Sequence, residues 1–276
     1  MRKLLRANFS RLFRDKLFLV SLALMFAMGI ALPITHYIDN VKNSENWNPD
    51  ATCFVFAFFV PILLSLIIAL FIGSDYSDGT MRNKLIVGHK RHHIYLSNLI
   101  VCAAAGIMLS ISYLLPHTVL GLLLLGGFFT QPSMLLLYTG VNLALVAAYS
   151  SLFVLIAMLS NSKANTTAGC ILLAFVLLFV GVYLTSALNE PEYYSGYTYT
   201  ADGITTSEEP EKNPNYISGT KRQVYEFLQE FTPGGQELLT SNMTADNPAM
   251  LAVYDGIILL VSTGVGILLF RRKDLK

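Results

Sequence analysis

Apolar residues fall in six long blocks along the chain, separated by polar stretches of very unequal length. The blocks cover about residues 17–37, 52–72, 99–129, 134–159, 166–188 and 249–270. A run of ~20 apolar residues is the length of helix that crosses a hydrocarbon core of ~30 Å. The pattern therefore predicts an all-α polytopic membrane protein with six transmembrane helices. The third block exceeds the bilayer core at ~1.5 Å per residue, so it must tilt, bend or project, and Pro116 marks the bend. Pro61 marks a kink in the second block. In the first block Ala23, Ala27 and Ala31 form a stripe, read either as a close helix contact or as ordinary alanine content.

The polar stretches carry helical periodicity of their own. Residues 1–16 place Leu5, Phe9, Leu12 and Phe13 on one face, with Arg2, Lys3, Arg6, Arg11 and Arg14 around the remainder. This predicts an amphipathic helix lying in the membrane interface. A signal peptide is the competing reading. The apolar run that follows is long for a signal core and no small-residue cleavage site succeeds it, which favours a retained anchor. Residues 189–248 are polar, and Pro191, Pro210, Pro214 and Pro233 interrupt regular structure there. Within them Val224, Phe227, Leu228 and Phe231 recur at i, i+3, i+4, i+7, which predicts an amphipathic helix over 221–231 stopped by Pro233-Gly234-Gly235.

The loop at residues 73–98 joins the second and third blocks. Thr80 can N-cap a short helix over 81–87, with Gly88 as its stop. Met81, Leu85 and Ile86 make its small apolar face, and Arg82 and Lys84 lie off it. So short a helix is marginal alone and needs a surface to dock on. The organisation is then residues 1–16 as interfacial helix, 17–188 as spans one to five with the loop 73–98, 189–248 as an extracytoplasmic segment, and 249–276 as span six with a basic tail.

Composition supports this class. Hydrophobic residues make up 54% and charged residues 13%, about half the charged share of an average soluble domain. The formal net charge of +1 matters less than its placement. Four of the 19 Lys and Arg residues (Lys42, Lys212, Lys221 and Arg222) lie on one side of the predicted spans, and all others on the opposite side. The positive-inside bias puts both termini and the loop 73–98 in the cytoplasm of a multi-pass protein of the cell membrane.

Candidate chemistry is sparse. Cys53, Cys102 and Cys170 lie inside apolar blocks and read as packing residues. Gly121–Gly126 has the glycine spacing of a P-loop, but leucines fill it and Gly127 stands where the lysine belongs, so no ATPase motif is present and no enzyme is expected. His89 and His93 could share a helix face. No acidic or cysteine ligand accompanies them, and Lys90 and Arg91 would repel a cation, so a basic surface is expected and no metal. No cofactor or nucleic-acid partner is expected. Polar groups inside the blocks are costly in lipid. His117, Asn142 and Asp255 are therefore candidates for a solute path, with helix–helix hydrogen bonding as the alternative. Asp255 also leaves open an ion-gradient-driven secondary transporter or channel. Paired carboxylates, or His with Glu, are not found inside the blocks, so an intramembrane enzyme is not expected.

Asp75, Gly79-Thr80, Arg82-Asn83-Lys84, Gly88 and Arg91 follow a fixed order. An acidic residue precedes Gly-Thr, then come a basic, amide-bearing short helix, Gly, Arg and an aliphatic run. This resembles the first cytoplasmic loop of ABC-2 type exporter permeases, the membrane subunits of bacterial ABC transporters. Where that family more often has Glu, this chain has Asp75. Residues 231–236, Phe-Thr-Pro-Gly-Gly-Gln, also resemble the Pro-Gly-Gln region before the last span of such permeases. The resemblance implies that the loop helix is a coupling helix seated in a cleft of a separate ABC ATP-binding subunit, which would hold ATP and Mg2+. It implies that Arg82, Lys84 and Arg91 touch that subunit and that Met81 and Leu85 fill an apolar notch, with Asp75, Gly79, Thr80, Asn83 and Gly88 completing the set. It further implies a second permease subunit, in a homodimer or heterodimer, and export of an amphiphilic peptide, antibiotic or lipid-like molecule.

Overall fold

The computed structural model describes residues 1–160, 162–194, 198–201, 204–207 and 210–274. Six of its helices are long and apolar enough to cross a membrane. A short helix α1 (Arg2–Leu12) leads into α2 (Lys16–Asn43), where the Asp15 side chain accepts the Phe18 N–H at 3.0 Å and caps the start. A 3-10 turn at Pro49–Thr52 precedes α3 (Phe56–Ser77), followed by the short α4 (Thr80–Ile86). Then come α5 (Arg91–Leu124), α6 (Pro132–Leu159) and α7 (Lys163–Leu188). The chain ends with α8 (Gly219–Phe231), α9 (Pro233–Ser241) and α10 (Pro248–Arg272).

The third block begins and ends earlier than its hydropathy suggests. Its helix starts at Arg91, runs through Pro116 and stops at Leu124. Gly126 and Gly127 take φ of 80° and 106°, a backbone that L side chains rarely adopt, and they turn the chain towards α6. Asp50 holds this turn: its carboxylate accepts the backbone N–H of Phe129 at 2.8 Å and of Thr130 at 3.1 Å.

α3 and α6 are the most buried spans, and α2, α7 and α10 the least. Phe54, Phe56, Leu64, Ile68, Tyr113 and Phe153 fill the core between them. The alanine stripe of α2 faces outward; its buried stripe is Ser21, Met25, Gly29 and Pro33. A Cβ on Gly29 would lie 2.4 Å from the Tyr113 carbonyl, so glycine and not alanine sets the α2–α5 approach. All three cysteines are buried and free.

Two expectations change here. α1 is docked on α5, and the face it covers is not the one its apolar periodicity picks out. Leu4, Asn8 and Leu12 form its buried face and Phe13 is exposed. Asn8 donates to Ser97 Oγ at 3.0 Å and to Asn98 Oδ1 at 2.9 Å, a polar pairing that hydropathy alone does not register. Pro233-Gly234-Gly235 also does more than end α8. It opens α9, with Pro233 at the first helical position and Thr232 Oγ1 accepting the Gly235 N–H. α9 packs between α7 and the centre of the bundle, so the later part of the polar segment is buried. The earlier part holds two antiparallel ribbons, β1 (Tyr193–Tyr194) with β4 (Glu211–Lys212) and β2 (Thr198–Ala201) with β3 (Ile204–Ser207). Residues 195–197 of this segment and 275–276 of the basic tail lie outside the described residues.

Candidate functional site

Asp75 lies in the last turn of α3 with its side chain buried, and three groups converge on it. Arg11 of α1 pairs with Oδ1 and also donates to the Phe71 carbonyl at 3.0 Å, its guanidinium lying 3.7 Å over the Phe71 ring. Lys84 of α4 donates to Oδ2 at 2.6 Å. Thr80 donates to Oδ1 at 2.6 Å. One carboxylate thus joins α1, α3 and α4, and each of its oxygens accepts a charge-assisted bond. Burial, the largest influence, holds the Lys84 ammonium below the ordinary lysine range; Asp75 opposes this and Arg11 adds to it.

This geometry corrects the role expected of Thr80. It is the first residue of α4 and not its cap. Gly79 occupies the cap position with φ of 68°, and that left-handed turn swings the Thr80 hydroxyl back onto Asp75. Met81 is also turned inward. It is 2% exposed and packs in this chain's own core. Leu85 packs partly against the same core. The outward apolar residues are Ile86 and Val87, at 71% and 76% exposure, flanked by exposed Arg82, Asn83, Gly88 and Lys90. Val87 lay outside the apolar face read from the sequence. A helix of two turns shows each face too briefly for periodicity to tell which one docks.

Arg91 is engaged internally as well. It donates to the Phe270 carbonyl at 2.9 Å and to the Lys273 carbonyl, tying the start of α5 to the end of α10. Lys273 in turn donates to the carbonyls of Met158 and Ser160, at 3.0 and 2.6 Å. The same end of the bundle therefore holds α1, α4 and the closing turns of α3, α6 and α10. Among the described residues no His, Cys, Asp or Glu group is arranged to hold a metal ion.

The three polar residues considered for a solute path do not meet. His117 is buried between α5 and the 3-10 turn, stacked on Tyr113 at 5.3 Å with Nε2 at 3.0 Å from Thr52 Oγ1. Asn142 donates to the Tyr138 carbonyl at 2.9 Å and accepts from Thr240 of α9 at 3.2 Å. Asp255 is buried on α10 without a hydrogen-bond partner for either oxygen. α9 adds residues that the sequence reading did not single out: Gln236, Glu237 and Thr240 are all buried beside α6. Their signal was Thr232 ahead of Pro233-Gly234-Gly235, a capping residue followed by a helix-starting proline.

A family model described as ABC-2 family transporter protein matches residues 4–181, from α1 into the last turns of α7. Among curated proteins no match is found.

Proposed function

The chain belongs to the ABC-2 family of transporter proteins, and we propose that it is the permease subunit of an ATP-driven exporter whose motor is a separate ABC ATP-binding subunit. The observation that carries this reading is the two-sided character of α4. One side is fastened through Lys84 and Thr80 to Asp75, and the other offers Arg82, Asn83, Ile86 and Val87. A push on the outer side would pass through Asp75 into α3 and through Arg11 into α1. Such a path suits a coupling helix, because a helix of seven residues has little stability except where it is docked.

In this reading the end that holds α1, α4 and Lys273 faces the cytoplasm, in keeping with the positive-inside bias, and the protein lies in the cell membrane. ATP and Mg2+ bind the motor subunit. Its apolar contact falls on Ile86 and Val87 rather than on Met81. A second permease subunit, identical or not, shares the bilayer with the sparsely buried faces of α2, α7 and α10. The cargo is amphiphilic, as the family resemblance implies.

Replacing Ile86 and Val87 together by Asp tests the contact. Both side chains are exposed, so the thermal midpoint should stay close to wild type, as it does for surface changes worth under ~0.5 kcal/mol. Capture of the ATP-binding subunit and export should each fall by about tenfold or more, the loss expected when central apolar contacts are removed. Undiminished capture and export in that variant would falsify the coupling role.

A further inference from the structure

Glu237 and Asp255 are buried acids that the coupling reading leaves without a task. Each is 1% exposed. Glu237 Oε2 and both Asp255 oxygens lack a hydrogen-bond partner, as do the Tyr149 hydroxyl and Gln236 Oε1. Tyr149, on α6, is near enough to both acids to feel their charge, although it makes no hydrogen bond of ordinary geometry with Glu237. Among the described residues the ion pairs lie elsewhere, at Arg11–Asp75, Lys84–Asp75 and Arg222–Glu226. The elements packed on α9 are α3, α6, α7, α8 and α10. From α6 the titratable group facing Glu237 is Tyr149, which also feels the charge of Asp255 on α10; among the described residues α3, α7 and α8 turn no charged side chain that influences Glu237. The 580 Å³ cleft against α8 is lined by Glu226, Glu230 and Asp246 and by neither buried acid.

A carboxylate held away from water and countercharge is strongly disfavoured. The carboxylic acid form removes that cost and also converts an acceptor into an O–H donor. Gln236 Oε1, next to Glu237 in the chain, is likewise an acceptor without a donor. Burial pushes Glu237 up to about 8, and Tyr149 partly opposes the shift.

We propose that Glu237 carries a bound proton at neutral pH, and that Glu237, Tyr149 and Asp255 form a proton-binding site inside the membrane body. The site is loaded while α9 is packed. It empties when a rearrangement admits water, the carboxyl O–H breaking and its proton passing to that water.

The full chain in lipid nanodiscs, followed by infrared spectroscopy from about pH 5 to about pH 10, tests this. Wild type should keep a protonated-carboxyl band at neutral pH and lose it on the alkaline side. Glu237→Gln should remove a clear part of that titrating band, the remainder being that of Asp255. Tyr149→Phe should move its loss upward by about half a pH unit or more, because the hydroxyl favours the charged form. A purely structural role for Tyr149 would not move it. Thermal midpoints add a second readout. Glu237 is protonated in the fold but ionised in the unfolded chain above ~4.3, so wild type should lose stability as pH rises from there to about 8. Glu237→Gln should lack that loss. A wild-type chain with no protonated band at neutral pH, or one whose band is untouched by Glu237→Gln, overturns the proposal. Should Glu237→Gln fail to fold, an unmoved band in Tyr149→Phe overturns it equally.

Discussion

Asp75→Ala should lower the thermal midpoint of the purified chain by about 5–10 °C. The variant leaves Arg11 and Lys84 facing each other with their shared counterion gone. Removing one partner of a buried ion pair costs ~3–5 kcal/mol. The Arg11 side chain is 36% exposed and recovers part of its hydration, so about 2–4 kcal/mol is the better expectation. Most of the loss should appear as loosening of α4, which is otherwise held by Met81 and in part by Leu85. Limited proteolysis should then cut between α3 and α5 in the variant and not in wild type. If α4 is the coupling helix proposed above, export should fall with it, since a loose α4 would transmit nothing to α3. Adding Lys84→Met to Asp75→Ala should restore part of the stability by removing a stranded cation, without restoring export. Melting and proteolysis both indistinguishable from wild type would show that the buried carboxylate does not fasten α4.

Gly234→Val should do still more damage to the fold. A Cβ on Gly234 would stand 1.8 Å from the Leu177 carbonyl oxygen, and one on Gly181 would stand 2.1 Å from the Gly234 carbonyl oxygen. These are backbone-to-backbone approaches, so no side-chain rotation relieves them. Overpacking a core costs ~1–3 kcal/mol, and more where the backbone must shift. The expected result is loss of most folded protein, with survivors melting about 10 °C lower. α9 would leave the bundle, breaking the bond from Gln236 to the Glu230 carbonyl at 2.8 Å and that from Thr240 to Asn142 at 3.2 Å. Gly256→Ala on α10 is the control. Nothing lies within 4 Å of its added Cβ. The change should be neutral or stabilising by up to ~1 kcal/mol, through helix propensity. Equal melting of the two variants would mean that α7 and α9 do not touch.

How much of this was legible along the chain depended on which force set each element. The six spans were, because bilayer thickness fixes how many apolar residues a span needs, and that count is local. The far end of the third block was not, because Phe128 and Phe129 are apolar yet lie past the turn that Gly126 and Gly127 make. The short helix after Gly79 was legible too, from its glycines and its charges. Its docked face was not: Met81 and Ile86 are both apolar, and only the position of α3 decides that the first is covered and the second is not.

The tertiary structure alone decided two further matters. Asn8 reads as a polar interruption of an amphipathic face until Ser97 and Asn98 are seen opposite it, 89 and 90 residues away. Glu237 reads as one acid among many in a polar segment until α9 is found lodged against α7. The amino-acid order determined what could live in lipid, since that cost is summed residue by residue over one helix. It did not determine which polar groups would be enclosed, since that depends on partners distant in the chain, brought near only where glycines let two backbones touch.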